Sequence, residues 1–238
     1  MYNDLMKNIK PGKSRFKHVG VELEIVSKRG RNSLVEAFNK AGIAKYVNIG
    51  FDSSIRTEWG EYPFAYEIRC LVPQFRFKDI IKKVCKVLQD TECKANNSCG
   101  LHVHLDMRPK IGRDVKQVYT KLVDKLPELT KYVAPRRIGE DAYNPLNRTN
   151  DYEYAVKGKP VIIERQARTK VLRKPMVKNG LPVMEKYEIR SDSEGRSAIN
   201  PHAYAKHKTI EVRLKEGTVD SKDITKWVNK LVSIVEGK

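Results

Sequence analysis

Residues 96–107 read NNSCGLHVHLDM, and this stretch decides the architecture. A small polar turn, Asn96 to Gly100, runs into Leu101-His102-Val103-His104-Leu105-Asp106, where apolar and polar residues alternate without a break. Such alternation marks a half-buried strand. Successive strand side chains point to opposite faces, so His102, His104 and Asp106 share one face, and Leu101, Val103 and Leu105 share the other. Two imidazoles and a carboxylate, following a glycine that opens the backbone to close approach, form a candidate binding surface.

Working outward, three more segments follow the same rule. His18–Val26 places Val21, Leu23 and Ile25 on one face and Gly20, Glu22 and Glu24 on the other. Ala65–Val72 separates Glu67 and Arg69 from Tyr66, Ile68 and Cys70 and ends at Pro73. Lys208–Leu214 sets Glu211 and Arg213 side by side, and Val47–Phe51 reads as a short strand leading to Asp52-Ser53-Ser54. Between these lie helical spacings. Asn32 or Ser33 can cap a helix carrying Leu34, Val35 and Phe38 that ends near Gly42. Phe77, Ile80, Ile81, Val84, Cys85 and Leu88 make an amphipathic helix, as do Val115 to Leu126 before a break at Pro127. Asp220 or Ser221 caps a last helix with Ile224, Trp227, Val228, Leu231 and Val232. Short connections and one-faced strands predict an α+β protein: a curved, mainly antiparallel sheet with a functional polar face and helices on its apolar face.

The 238 residues fit a single domain spanning 1–238, with 134–195 as a basic, irregular insertion. The insertion is rich in Pro, Gly, Asn and charge, contains strand-like pieces such as Val161-Ile162-Ile163, and is expected to form a hairpin or two. No apolar run is long enough to span a bilayer, and the first twenty residues carry no signal-like apolar stretch. Cys70, Cys85, Cys93 and Cys99 form no CxxC pair. A reduced, cytoplasmic protein away from membranes is the expectation.

A net charge of +18 attracts polyanions: nucleic acid, a nucleotide or an acidic substrate. Many lysines, among them Lys82, Lys83, Lys86, Lys116, Lys121 and Lys125, fall on the solvated sides of the expected helices. The sharper signal is that four strands each carry charge at i and i+2. Carboxylates gathered on one sheet face need cations, and divalent metal is a common remedy. Carboxylate oxygens with a histidine suit Mg2+ or Mn2+ better than a structural zinc. Arginines beside them suit phosphate, which the planar guanidinium grips by a fork of donors.

The blocks GVELEI, YEIRCLVP, NNSCGLHVHLDM, RSAIN and KTIEVRLKEGTVD, in this order, resemble the amidoligase family, a reduced relative of glutamine synthetase and glutamate–cysteine ligase. Asp52-Ser53-Ser54 is similar to its aspartate–serine block. The blocks span about residues 18–235 and leave out 134–195. The resemblance implies a glutamine-synthetase-like catalytic domain that ligates a carboxylate to an amine with ATP, through an acyl phosphate and with Mg2+ (or Mn2+). It implies Glu22, Glu24, Glu67, His102 and Glu211 as metal ligands. It implies His104, Arg196 and Arg213 at the nucleotide phosphates or the transferring phosphoryl group, with Asp52 binding substrate or deprotonating the amine. Two departures stand out: no counterpart of the synthetase's N-terminal domain is visible, and its second acidic pair is matched by Glu67 alone.

The partners expected are ATP and a small-molecule or peptide carboxylate and amine, with the insertion offering a grip on a polyanion or nucleic acid. Two other classes fit parts of the pattern. HxH with carboxylates also serves a metal-dependent hydrolase or phosphodiesterase, and the charge alone fits a basic nucleic-acid-binding protein. Glutamates on the sheet repel phosphate unless a metal intervenes, which weighs against simple nucleic-acid binding. Asn200 either holds the turn before Pro201 or meets substrate, and Trp59 and Trp227 read as loop or core.

Overall fold

A computed structural model describes residues 18–58, 60–108, 112–137, 172–178, 181–187, 198–201 and 203–237. The chain divides into two compact units, residues 1–105 with 215–238, and residues 106–214. The fold is α+β with antiparallel strand pairing throughout its described ladders.

In the first unit the alternating segment near the start is strand β1 (His18–Ser27). Helix α1 (Arg31–Lys40) follows, then β2 (Val47–Phe51), β3 (Phe64–Pro73), helix α2 (Phe77–Asp90), the two-residue β4 (Cys93–Lys94) and β5 (Gly100–Asp106). The neighbours run β2, β3, β1, β5, with β4 also on β1. The odd positions of β1 (Val19, Val21, Leu23 and Ile25) are buried together with Ile68, Cys70, Leu101 and Val103. Burial of such aliphatic side chains contributes roughly 1.5–3 kcal/mol each. The chain's last helix, α6 (Ser221–Glu236), packs against α2, and their apolar stripes are buried, including Cys85 and Trp227. Asp220 caps α6, its side chain accepting the amide hydrogen of Lys222 at 2.8 Å, and Gly237 closes it at φ +73°.

The second unit holds helix α3 (Gly112–Asp124), the short α4 (Leu126–Leu129), hairpin strands β6 (Leu172–Lys178) and β7 (Leu181–Tyr187), strand β8 (Ile199–Asn200), helix α5 (Ala203–His207) and most of β9 (Thr209–Glu216). The hairpin falls in the expected insertion; Val161–Ile163 lies outside the described residues, as does Trp59. Among the described residues, no helix is long and apolar enough to cross a membrane.

Three expectations need correction. Helix α1 starts at Arg31 and its N-cap is Gly30, without a side-chain cap from Asn32 or Ser33. The break expected at Pro127 falls slightly earlier: α3 ends at Asp124, and Pro127 sits in the first turn of α4, where a missing N–H costs nothing. The largest concerns the sheet: β1 and β5 are buried on both faces, not half-buried. Their polar side chains meet one another across the strands, so pairing replaces water as the solvent of that face.

Candidate functional site

Register brings the charges of the first unit together. Glu22 on β1 faces His102 of β5 on one side and Arg69 of β3 on the other, while Glu24 faces Glu67. His104 faces Gly20, one step along. Glu22, Glu24, Glu67, His102 and His104 are each less than a tenth exposed.

The contacts form a chain centred on Glu22. Its Oε2 lies 3.4 Å from His102 Nδ1, and its Oε1 lies 3.3 Å from His104 Nε2. The other nitrogen of His102, Nε2, lies 3.4 Å from Glu24 Oε1. Glu24 is itself held: its Oε2 accepts the backbone N–H of Gly100 at 2.6 Å. The glycine turn therefore anchors a carboxylate that in turn orients an imidazole. Arg69 contacts Glu67 through Nη2, and its Nε is 3.9 Å from Glu22 Oε1.

These neighbours pull the two central carboxylates apart. Burial pushes the Glu22 carboxyl up, but His104 and His102 outweigh it and hold Glu22 well below the usual carboxylate range. Glu67 moves the opposite way. Burial, then the charge and hydrogen bond of Glu22, and Asp52 more weakly, push it up to about 9 against the pull of Arg69. At neutral pH the pair therefore carries one proton, with Glu67 as the acid and Glu22 as the base.

Glu22, Glu67 and His102 each offer a ligand atom, and these atoms lie within 4.8 Å of one another. Two carboxylate oxygens and one imidazole are a donor set for a divalent cation, whose charge would replace the shared proton. Glu24 stands outside this trio, behind His102.

The turn preceding β5 is stitched to the loop after β2. Asn96 Oδ1 accepts from the N–H and hydroxyl of Ser98, Asn96 Nδ2 donates to the Arg56 carbonyl at 2.8 Å, and Ser98 Oγ accepts the Arg56 N–H at 2.9 Å. Asp52 opens that loop, partly exposed, its Oδ1 accepting the Ser54 N–H at 2.8 Å.

In the second unit, Glu211 has both oxygens engaged: Asn200 Nδ2 donates at 2.7 Å to Oε2, and Arg213 Nη1 at 2.6 Å to Oε1. Asn200 thus holds a carboxylate, a role that sequence reasoning left open. Buried Arg137, which that reasoning missed, donates Nη2 to the Arg213 carbonyl at 2.8 Å. Asp106, grouped with the histidines by alternation, is taken by Arg108 through Nε at 2.7 Å and Nη2 at 2.5 Å. Arg196 lies outside the described residues.

Gly50 was also missed. It lies opposite Glu67 in the β2–β3 ladder, and a Cβ there would stand 2.7 Å from Arg69 Nη1. A glycine inside a strand is the available sign of such close approach.

With the carboxylate–histidine site in place, comparison with known proteins gives a direct answer. The model of one family, described as "putative amidoligase enzyme", matches residues 15–235. The chain belongs to the amidoligase family. These bounds enclose every block quoted above. No match was found among curated proteins. Membership points to a ligase that forms amide bonds.

Proposed function

We propose that this amidoligase is an ATP-dependent carboxylate–amine ligase with a glutamine-synthetase-like catalytic domain. The observation that carries the reading is the buried trio Glu22, Glu67 and His102, with candidate ligand atoms within 4.8 Å, in a chain of this family. A carboxylate does not condense with an amine unaided. ATP activates it as an acyl phosphate, phosphate then being the group that leaves when the amine attacks.

Mg2+ (or Mn2+) is the cation the trio suits, and when bound it would neutralise charge on the phosphate oxygens. The chain's own residues have distinct tasks. Glu22 and Glu67 give up their shared proton to receive the cation. Glu24, fixed by Gly100, orients His102, the kind of support that sets a metal ligand's ring angle and basicity. His104, beside Glu22, is assigned to phosphate. Asp52, on the partly exposed loop, is assigned to the amine, either binding it or taking its proton before attack. Glu211 is assigned to the cation, and Arg213 and Arg196 to the phosphates. The substrates besides ATP are a small-molecule or peptide carboxylate and an amine.

The test is a screen of carboxylate and amine pairs with ATP and Mg2+, following ADP release and, by mass spectrometry, a product lighter than its two parts by one water. ADP release that needs both partners supports the ligase. Phosphate release that ignores the amine, with no condensed product, returns the site to a hydrolase.

A further inference from the structure

Gly217 follows β9 directly, within the motif KTIEVRLKEGTVD, and lies against the turn that leads into β5. A Cβ at this position would stand 2.6 Å from Cys99 Cβ, 3.0 Å from the Cys99 carbonyl carbon and 3.1 Å from Ala95 Cβ. Those atoms are backbone or bonded directly to it, so none can swing aside as the end of a long side chain could. Backbone angle is not what calls for glycine here, because Gly217 lies outside the left-handed region that Gly42, Gly60 and Gly237 occupy. The requirement is close approach of two stretches of main chain.

That approach makes a hydrogen bond. The Gly217 N–H donates to the Cys99 carbonyl at 2.8 Å. This carbonyl belongs to the same planar peptide unit as the Gly100 N–H, and in a trans peptide the two point to opposite sides. On the far side the Gly100 N–H donates to Glu24 Oε2 at 2.6 Å. One rigid plate is therefore held at both ends, by Gly217 and by a buried carboxylate. The bond at its oxygen also polarises the plate, which strengthens donation from its nitrogen. The other Glu24 oxygen, Oε1, lies 3.4 Å from His102 Nε2. The segment behind Gly217 is tied to two helices: Gln89 Nε2 of α2 donates to the Val219 carbonyl at 3.0 Å, and Asp220 caps α6. A methyl group added at residue 217 would thus press on the Cys99–Gly100 plate and turn its N–H away from Glu24.

We propose that Gly217 is a positioning residue of the site: its bare backbone fixes the Cys99–Gly100 peptide plane, which aims Glu24 and, through it, His102. The assignment rests on the carboxylate–histidine geometry, and its consequence for a bound cation rests on the metal-dependent reading above.

The experiment follows the Gly100 amide proton by nuclear magnetic resonance in the 15N-labelled, metal-free full chain, and Mn2+ affinity by electron paramagnetic resonance. The forms compared are wild type, Glu24→Gln, Gly217→Ala and the double variant Gly217→Ala/Cys99→Gly, each checked for folding by circular dichroism. A short bond to a carboxylate places the wild-type proton far downfield, and Glu24→Gln brings it upfield. Gly217→Ala is expected to bring it upfield as well and to weaken Mn2+ binding about tenfold or more, the usual loss when the support of a metal ligand is disturbed. The double variant removes the β-carbon that the new methyl group meets and restores both readings. It carries the test if Gly217→Ala does not fold, and its own failure to fold overturns the inference. So does a folded Gly217→Ala with the wild-type proton position, whatever its melting temperature, since the contact would then serve stability alone. A wild-type proton unmoved by Glu24→Gln overturns it too, and a moved proton with unchanged Mn2+ affinity overturns it at the step from Glu24 to His102. Movement of the proton in Gly217→Ala with no Mn2+ bound by any form supports the positioning role and removes the metal reading.

Discussion

Glu22 and Glu211 sit on strands of the same kind, equally buried, each with an arginine and a further nitrogen donor nearby, yet they are in opposite situations. Glu211 has one carboxylate and two short, well-directed donors, Asn200 and Arg213, at 2.7 and 2.6 Å. Glu22 shares its surroundings with a second carboxylate, and its contacts to His102, His104 and Arg69 are longer, 3.3 to 3.9 Å. In the first, both carboxylate oxygens accept short hydrogen bonds. The second is more loosely spaced and sets two carboxylates against each other, which holds Glu22 low and pushes Glu67 up. Similar burial thus comes with different electrostatic surroundings, set by the count of charges against donors.

The comparison can be broken at several levels. Glu22→Gln should reduce ATP-dependent amide formation by about a hundredfold or more, the usual loss when a charge-stabilising group leaves such a centre. Its melting temperature should stay within a few degrees of wild type. Unchanged turnover in the folded variant would remove Glu22 from the site. Glu211→Ala should act first on stability, because it removes the buried carboxylate to which Asn200 and Arg213 both donate. Urea denaturation should show a loss of about 3–5 kcal/mol, and a variant as stable as wild type would erase the contrast.

The shared proton gives a pH signature. The Glu67 carboxyl, at about 9 in the folded protein against 4.5 ordinarily, favours folding at low pH, and that contribution is lost as pH rises from about 4.5 through about 9. Metal-free protein should lose stability across this range with a slope of up to about 1.4 kcal/mol per pH unit, and Glu67→Gln should flatten it. The same proton must leave when a divalent cation binds at pH 7. Calorimetry of Mn2+ binding in buffers of different ionisation enthalpy should report close to one proton released, and zero would contradict the pairing. The smallest effect belongs to Asn200→Ala, which removes one hydrogen bond from Glu211 and should cost about 1–2 kcal/mol by thermal melts.

Much of this was legible residue by residue. Strict alternation in His18–Val26, Ala65–Val72 and Leu101–Asp106 is a local property, because a strand has a period of two whatever it pairs with. It sorted Glu22, Glu24, Glu67, His102 and His104 onto shared faces, and the apolar spacing of Phe77–Leu88 and Ile224–Val232 marked the helices that pack behind. Alternation also misled: it grouped Asp106 with the histidines, although Arg108, two residues on, takes its carboxylate. It also suggested a wet polar face where the structure has a buried one.

By itself, then, the sequence determined the elements, the face each charge occupies and, through its motifs, the amidoligase family. Tertiary structure alone decided who meets whom. That Glu22 lies between His102 and Arg69, that Glu24 is tied to Gly100, and that Gly50 lies close to the Arg69 guanidinium all depend on strand register. Register is set by residues far apart in the chain burying their apolar faces together, and a shift of one residue would turn every one of these charges to the other side. What surrounds each carboxylate follows from that choice, because it depends on how many donors and like charges the neighbouring strands bring within reach.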